Sequence, residues 1–201
     1  MGVVNFKNDP RITYEHRATL REFCSSLGGD PVKLARRLGL KVFKELLPEG
    51  DDGALIYDPE LGSESGFVIV INELNPTTRQ IFTIAHEIGH FVLHRNEPEF
   101  VANMKNSSPI LKSHLTSNVI KFPVGRRSQT NSMRSDAGLR HNNFSRRLEF
   151  EADSFATNLL LPAGLVRKTP EFFNGEAFAL ADRLGLSGIF VLRRFEEIEF
   201  E

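Results

Sequence analysis

The longest regular pattern of apolar residues lies in the middle of the chain, at residues 77–94. Its apolar positions recur mostly at intervals of three and four residues, which is the period of an α-helix. They are Ile81, Phe82, Ile84, Ala85, Ile88, Phe91, Val92 and Leu93. Because apolar residues occupy most sides of this predicted helix, we expect it to lie at the centre of the fold.

Shorter patterns before this helix predict two further helical pieces and a β-hairpin. Residues 23–45 look helical in two parts, the second beginning at Asp30 and Pro31 and ending near Gly39. Residues 54–57 and 66–71 are short apolar segments on either side of a turn, so they predict two antiparallel strands.

After the central helix the chain becomes polar and then helical again. Residues 96–147 are rich in Asn, Ser, Arg and Lys and contain several Pro and Gly, which predicts a long loop. Helical periodicity resumes near Arg147 and stops at Pro162, and two more amphipathic helices follow, separated near residues 185–188. We therefore predict one α+β domain, residues 1–201, that combines helices with a β-hairpin. A basic loop is inserted at 103–147 and a helical addition follows at 170–201.

Composition places the chain among ordinary globular proteins. Of its 201 residues, 40% are hydrophobic and 25% are charged, and its longest apolar runs fall far short of a membrane span. The single cysteine, Cys24, cannot form an internal disulfide, and the first residues lack the apolar stretch of a signal peptide. We expect a cytoplasmic protein without a membrane partner.

The charge is unevenly distributed. Residues 103–147 carry nine Lys and Arg against one Asp, a net charge of +8, whereas the remainder of the chain carries −9. This basic segment and residues 180–194, which resemble half of a helix-turn-helix, raise the alternative of a DNA- or repressor-binding module. Basic polar loops and leucine-spaced helix turns are common without nucleic acid, so we do not expect DNA as the partner.

The predicted central helix contains the clearest chemical motif. His86, Glu87 and His90 form H-E-x-x-H. Four residues advance a helix by about 400° and ~6 Å, so the two histidines lie on one face and can share a metal ion. Glu87 lies about 100° further round, where its carboxylate can reach a metal-bound water without binding the metal. A catalytic zinc site needs a third protein ligand and one open position.

The third ligand must come from elsewhere in the chain. The metzincin pattern would place a histidine at position 96 and a glycine at position 93, but these are Asn96 and Leu93. A carboxylate on the next helix is the other solution. Glu149 and Asp153 share a helix face, so Glu149 can bind the metal while Asp153 accepts the outer N–H of a ligand histidine. Glu151 remains an alternative ligand, and an acidic first helical turn would need no metal.

Other histidines give weaker signals. His94, one turn beyond His90, is a candidate either for supporting a metal ligand or for donating a proton to substrate. His114 and His141 lie in the basic segment, and His16 belongs to no pattern. An isolated histidine is more often a hydrogen-bonded structural residue than a catalytic one.

Taken together, these motifs resemble the ImmA/IrrE family of zinc metallopeptidases, which are gluzincins. The resemblance rests on the sequence HEIGHFVLH at 86–94 with its preceding residues. It also rests on a second signature that contains Glu149, Glu151, Ala152, Asp153, Phe155, Ala156 and the run Leu159, Leu160, Leu161, Pro162. It covers about residues 30–162. The 58 residues between His90 and Glu149 exceed the usual interval in the family.

The resemblance implies an α+β fold in which a small antiparallel sheet lies beside the helix that carries H-E-x-x-H. It also implies a mechanism and a kind of substrate. One Zn²⁺ per chain would bind His86, His90 and Glu149, and Glu87 would act as general base. Characterised members of the family cleave helix-turn-helix repressors and so derepress genes, whereas others are candidates for antitoxin-like partners that bind without cleaving. Candidate donors to the oxyanion are Tyr14, Tyr57, His94 and His114. The strand at residues 67–72 is a candidate for pairing with an extended substrate, provided that its edge is open.

Overall fold

Helices and strands occupy most of the described chain. The computed structural model describes residues 8–98, 100 and 136–200, with side chains for all of these except 136–145. The first part contains α1 (Tyr14–Phe23), α2 (Pro31–Arg37), β1 (Lys41–Glu45), β2 (Gly53–Tyr57), a 3₁₀ turn (Pro59–Leu61), β3 (Phe67–Asn72) and α3 (Thr77–His94). The second contains α4 (Asp136–Leu160), α5 (Ala163–Val166), α6 (Pro170–Phe173), α7 (Ala177–Leu184) and α8 (Gly188–Glu199). Within these residues no helix has both the length and the apolar character needed to cross a membrane.

The three strands form one mixed sheet in the order β1-β3-β2. β2 and β3 pair antiparallel, so the predicted hairpin is confirmed. The α+β class is also confirmed, but the sheet is not wholly antiparallel because β1 pairs parallel with β3. The predicted end of the second helical piece near Gly39 is confirmed, but residues 41–45, which lie within the range that looked helical, form a strand. Gly39 adopts φ 79°, a left-handed conformation that ends α2, and the chain then extends into β1.

The long apolar helix occupies the predicted central position. Every residue of α3 from Thr83 to His94 is buried. The apolar residues of α3 join one cluster with the inner side chains of β2 and β3 and with residues of α4, among them Leu55, Ile69, Leu148 and Phe155. Burial on nearly all sides explains why polar residues are scarce over most of this helix, and it makes the buried histidines and glutamate of its motif exceptional.

α3 and α4 approach closely at Gly89. A side-chain Cβ at this position would lie 3.2 Å from the Cα and 3.3 Å from the carbonyl oxygen of Ala152, and 3.1 Å from the ring of Phe155. Two of these neighbours are backbone atoms of α4, which can move only if the helices separate. Glycine therefore sets the spacing between the two helices.

We expect overpacking in Gly89→Ala to destabilise the fold by about 1–3 kcal/mol. The higher helix propensity of alanine offsets up to about 1 kcal/mol of this loss. Gly164→Ala is the matched control, because Gly164 is also helical but nothing lies within 4 Å of the added carbon. Chemical denaturation of both variants measures the difference. Equal or greater stability of Gly89→Ala than of Gly164→Ala would contradict the close approach.

α4 begins earlier than predicted. The sequence places the helix start near Arg147, but the structure places it at Asp136. Gly138 and the asparagines that follow it lower helix propensity, which is why the sequence pattern favours a loop there. Propensity is a weak guide where a helix continues from a well-packed segment. The end of the predicted basic loop is therefore helical, and residues 103–135 lie outside the described residues.

The two predicted C-terminal helices are confirmed as α7 and α8. They are separated at Gly185, which has φ 66° and ends α7. On α8, Arg194 is buried and donates hydrogen bonds to the carbonyl of Leu161 and to Asn158. The exposed positions of α8 include Glu196, Glu197 and Glu199. Carboxylates on this surface would repel DNA phosphates, so α8 does not resemble a recognition helix electrostatically.

Candidate metal centre

Three predicted metal ligands converge where α3 meets α4. The Nε2 atoms of His86 and His90 lie 2.9 Å apart. From α4, the carboxylate of Glu149 lies 3.4 Å from each of these nitrogens, through Oε2 towards His86 and Oε1 towards His90. Both histidines are completely buried, and the side chain of Glu149 is 23% exposed. The cluster is thus shielded on the protein side and open at the carboxylate.

The geometry of this cluster suits a tetrahedral ion. Ligand atoms about 2.0–2.1 Å from a zinc ion lie roughly 3.3 Å from one another in a tetrahedral site. The two distances to Glu149 are close to this value, and the two nitrogens need to separate only slightly. Within the described part of the chain, Oε1 of Glu149 is buried and has no hydrogen-bond partner. A cation at this point would satisfy that atom, so the residues fit a divalent metal ion.

Glu87 lies beside the cluster without joining it. Its side chain is buried, and burial raises the pKa of its carboxyl group. The backbone amide of Leu55, on β2, acts in the opposite sense and lowers this pKa. The oxygen Oε1 of Glu87 is buried and has no partner among the described residues. A buried acceptor next to a metal site is suited to taking a proton from a bound water.

The predicted arrangement of Asp153 is also present. Nδ1 of His86 lies 2.8 Å from Oδ1 of Asp153, which accepts its proton. With that proton on Nδ1, the lone pair of Nε2 points towards Glu149 and His90. Asp153 thus fixes the histidine in the tautomer that can bind a metal.

His90 has a different outer partner. Its Nδ1 lies 3.1 Å from Nδ1 of His94, and Nε2 of His94 lies 2.9 Å from Oε2 of Glu151. Burial, followed by the proximity of His90, lowers the pKa of His94 to about 3, so this histidine is neutral. Since both of its nitrogens are used inside the protein, the structure favours the supporting role over proton donation to substrate.

The remaining candidates occupy a range of environments. Glu151 faces His94 rather than the pair of ligand histidines, so the geometry favours Glu149 as third ligand. Tyr14 is 85% exposed, and Tyr57, at the end of β2, is 47% exposed with its ring against Phe67. His114 lies outside the described residues, and the side chain of His141 is not described. The structure therefore adds no support for a particular oxyanion donor.

One residue that contacts the surroundings of the candidate metal centre was not predicted from the sequence. Arg11, in the segment before α1, places Nη1 2.5 Å from Oε2 of Glu151 and 3.5 Å from Oε1 of Glu97. Asp9 accepts hydrogen bonds from Nε and Nη2 of the same guanidinium at 3.0 and 2.8 Å. A contact across 140 residues has no signature in the sequence, because neither Arg11 nor Asp9 belongs to a motif.

Protons and metal compete for the ligand set. Burial acts to lower the pKa of His86, but hydrogen bonds with Asp153 and Glu149 outweigh it and raise this pKa to about 10. Burial acts to raise the pKa of Glu149, but its contacts with His86 and His90 lower it to about 2. The cluster therefore attracts positive charge, which is a proton on His86 when no metal is present.

We expect metal affinity to fall as pH falls from 8 to 6. His86 must lose its proton to bind a metal, so each unit of acidification should weaken affinity about tenfold for one released proton. Competition for Zn²⁺ against a chelator of known pH dependence measures this slope. The metal-free pKa of about 10 places the whole interval on the protonated side of His86. An affinity independent of pH would contradict His86 as a ligand.

A known protein family matches the part of the chain that contains the H-E-x-x-H motif. Residues 35–111 match the family model described as the IrrE N-terminal-like domain, which is a peptidase family. The matched residues include the sheet and α3, with His86, Glu87 and His90, and they end before Glu149. No curated protein matches the chain.

Proposed function

We propose that this chain is a zinc-dependent endopeptidase that cleaves a regulatory protein. The premise is the match of residues 35–111 to the IrrE N-terminal-like peptidase domain, which supports the expected resemblance to metallopeptidases of the IrrE and ImmA type. The observation that carries the proposal is the convergence of His86, His90 and Glu149, with the unpartnered oxygen of Glu87 beside them in the described part of the chain. Nitrogen, nitrogen and carboxylate ligands are the set of many catalytic zinc sites.

The ligands and the base have separate tasks. His86, His90 and Glu149 would hold one Zn²⁺, which when bound acidifies a water molecule and polarises the scissile carbonyl. Glu87 takes the proton of the attacking water on its free carboxylate oxygen and passes it to the departing amine.

The sheet also suggests where a substrate binds. The expectation of an open edge at residues 67–72 was wrong, because β3 is the middle strand and pairs on both sides. β2 pairs with β3 along one edge, and its other edge has no strand among the described residues. Since the backbone amide of Leu55, on β2, acts on the pKa of Glu87, β2 borders the site. An extended substrate can pair with β2 here and pass its backbone across the cluster.

For the substrate, we propose a helix-turn-helix transcriptional repressor whose cleavage derepresses its genes. The resemblance to the ImmA/IrrE peptidases supports this class of substrate. We place the reaction in the cytoplasm, where such repressors act and where a free thiol such as that of Cys24 stays reduced.

Expression of wild type and Glu87→Gln in parallel cultures tests the proposal against all cellular proteins at once. New protein N-termini that form only with wild type are identified by mass spectrometry after chemical labelling. We expect such termini in a helix-turn-helix repressor. The purified repressor and zinc-loaded peptidase should then reproduce the same cleavage.

Two other results would redirect the conclusion. A repressor that co-purifies equally with wild type and Glu87→Gln, with no new termini, would show a sequestering partner in place of a peptidase. Cleavage confined to proteins that are not regulators would retain the peptidase and remove the repressor. DNA binding at low salt by zinc-loaded wild type would favour the nucleic-acid alternative.

A further inference from the structure

A continuous set of hydrogen bonds runs from the metal ligand His90 to the segment before α1. It passes from Nδ1 of His90 to Nδ1 of His94 at 3.1 Å, and from Nε2 of His94 to Glu151 at 2.9 Å. Arg11 then contacts Glu151 at 2.5 Å and is itself held by Asp9. Both histidines are completely buried, so bulk water does not compete for these bonds.

The direction of each hydrogen bond between His90 and Arg11 can be assigned by starting from Arg11. Arg11 can only donate, so Glu151 accepts as a carboxylate. Nε2 of His94 therefore carries the hydrogen that Glu151 accepts. With its hydrogen on Nε2, the His94 ring accepts at Nδ1, which requires the hydrogen of His90 to lie on Nδ1. This assignment leaves the lone pair of His90 on Nε2, the atom that faces His86 and Glu149.

The position of Arg11 strengthens this order in two ways. Its guanidinium and Nε2 of His94 both donate to the same oxygen of Glu151, Oε2. The guanidinium also binds Asp9 through two nitrogens, which is a geometrically restrictive contact. The orientation of the Arg11 guanidinium is thus fixed by a residue of the same segment, N-terminal to α1.

The same carboxylates do not form a convincing second metal site. His94, Glu97 and Glu151 lie close enough together to be considered as ligands. However, Arg11 contacts both glutamates, and Arg147 contacts Glu97 at 2.6 Å. Two guanidinium groups already supply positive charge there and would repel a divalent cation.

We propose that Arg11, acting through Glu151 and His94, is a positioning residue that fixes His90 in its metal-binding tautomer. The inference rests on the proposed function in one respect, because it takes His90 to be a metal ligand. It adds that the segment before α1, which lies outside the region matched to the peptidase family, is part of the metal centre.

Zinc affinity of four variants tests this role without an activity assay. Arg11→Met removes the guanidinium but keeps most of the apolar stem, and His94→Phe keeps a ring but removes the acceptor. The double variant combines them, and His94→Gln restores an acceptor oxygen. Arg37→Met is the matched control, because Arg37 also forms a 2.5 Å ion pair, with Glu22, at an exposed site.

Competition with a chromogenic chelator at one pH should give a graded result. Loss of an outer partner of a metal ligand typically weakens affinity about 10- to 100-fold, and we expect this for His94→Phe and a loss near the lower end for Arg11→Met. If Arg11 acts through His94, the double variant should bind zinc no more weakly than His94→Phe alone. His94→Gln should recover part of the affinity, and Arg37→Met should match wild type.

The different failures are distinguishable. If wild type binds no zinc, the proposed function itself fails. If wild type binds zinc and Arg11→Met binds it equally well, the positioning role is overturned and the peptidase remains. If the losses in the double variant add, Arg11 acts through general stability and the role is again overturned. Thermal melting of the metal-free variants checks that each one is folded.

Discussion

Glu87→Gln should lower kcat/KM for peptide hydrolysis by a factor of about 10²–10⁴ while zinc content stays at one ion per chain. The amide has nearly the shape of the carboxylate, but it cannot accept a proton from water. Because Glu87 is not one of the three converging side chains of His86, His90 and Glu149, the substitution leaves the metal cluster intact. The buried oxygen of Glu87 that lacks a partner among the described residues is the atom whose loss of basicity produces the effect.

Metal analysis and single-turnover cleavage of the identified substrate measure the two quantities on the same preparation. A fall in zinc content parallel to the fall in rate would show that Glu87 acts through the metal site instead of as a base. Activity within a factor of a few of wild type would contradict its catalytic assignment. The same reasoning makes Glu87→Gln suitable for trapping substrate, because binding is retained when proton transfer is lost.

Glu149→Gln should reduce zinc affinity, and peptidase activity should fall with it. Loss of a residue that is only hydrogen-bonded to a metal ligand weakens affinity by roughly 10- to 100-fold, and we expect a larger loss here. The amide removes the negative charge that attracts the cation and offers a weaker oxygen ligand. Glu171→Gln is a suitable control, because the Glu171 side chain is 15% exposed against 23% for Glu149 and pairs with Arg183 away from the site.

Equilibrium dialysis against buffered Zn²⁺ gives both affinities. We expect Glu171→Gln to bind as wild type does. A Glu149→Gln variant that keeps full affinity would return Glu151 to consideration as the third ligand. Stability of the metal-free protein should also fall at neutral pH, because the contacts with His86 and His90 that lower the pKa of Glu149 to about 2 stabilise the folded state.

Periodicity and spacing were sufficient to predict the centre of the molecule. The long helix α3, the hairpin of β2 and β3, and the two C-terminal helices follow from local patterns that the tertiary structure reinforces. The i, i+4 relation of Glu149 and Asp153 likewise anticipated which carboxylate faces the histidines and which one supports His86. Each of these predictions depends on residues that are close in sequence.

The missed features depend on contacts between distant residues. β1 contains only two strongly apolar residues, Val42 and Phe43, and becomes a strand because β3 pairs with it. The contact of Arg11 with Glu151 depends on how the N-terminal segment crosses α4, which no local pattern specifies. The early start of α4 reflects continuation of an anchored helix through residues of low propensity.

Under the proposed function, the division of ligands between α3 and α4 would make the stability of this protein depend on zinc supply. An ion bound to His90 and Glu149 connects two helices whose ligands are separated by 58 residues, as a covalent cross-link would. At a free zinc concentration 100 times the dissociation constant, such binding would add about 2.7 kcal/mol to the stability of the folded chain. Cells short of zinc would then contain less folded peptidase as well as less active peptidase, so its abundance would follow the metal status of the cell.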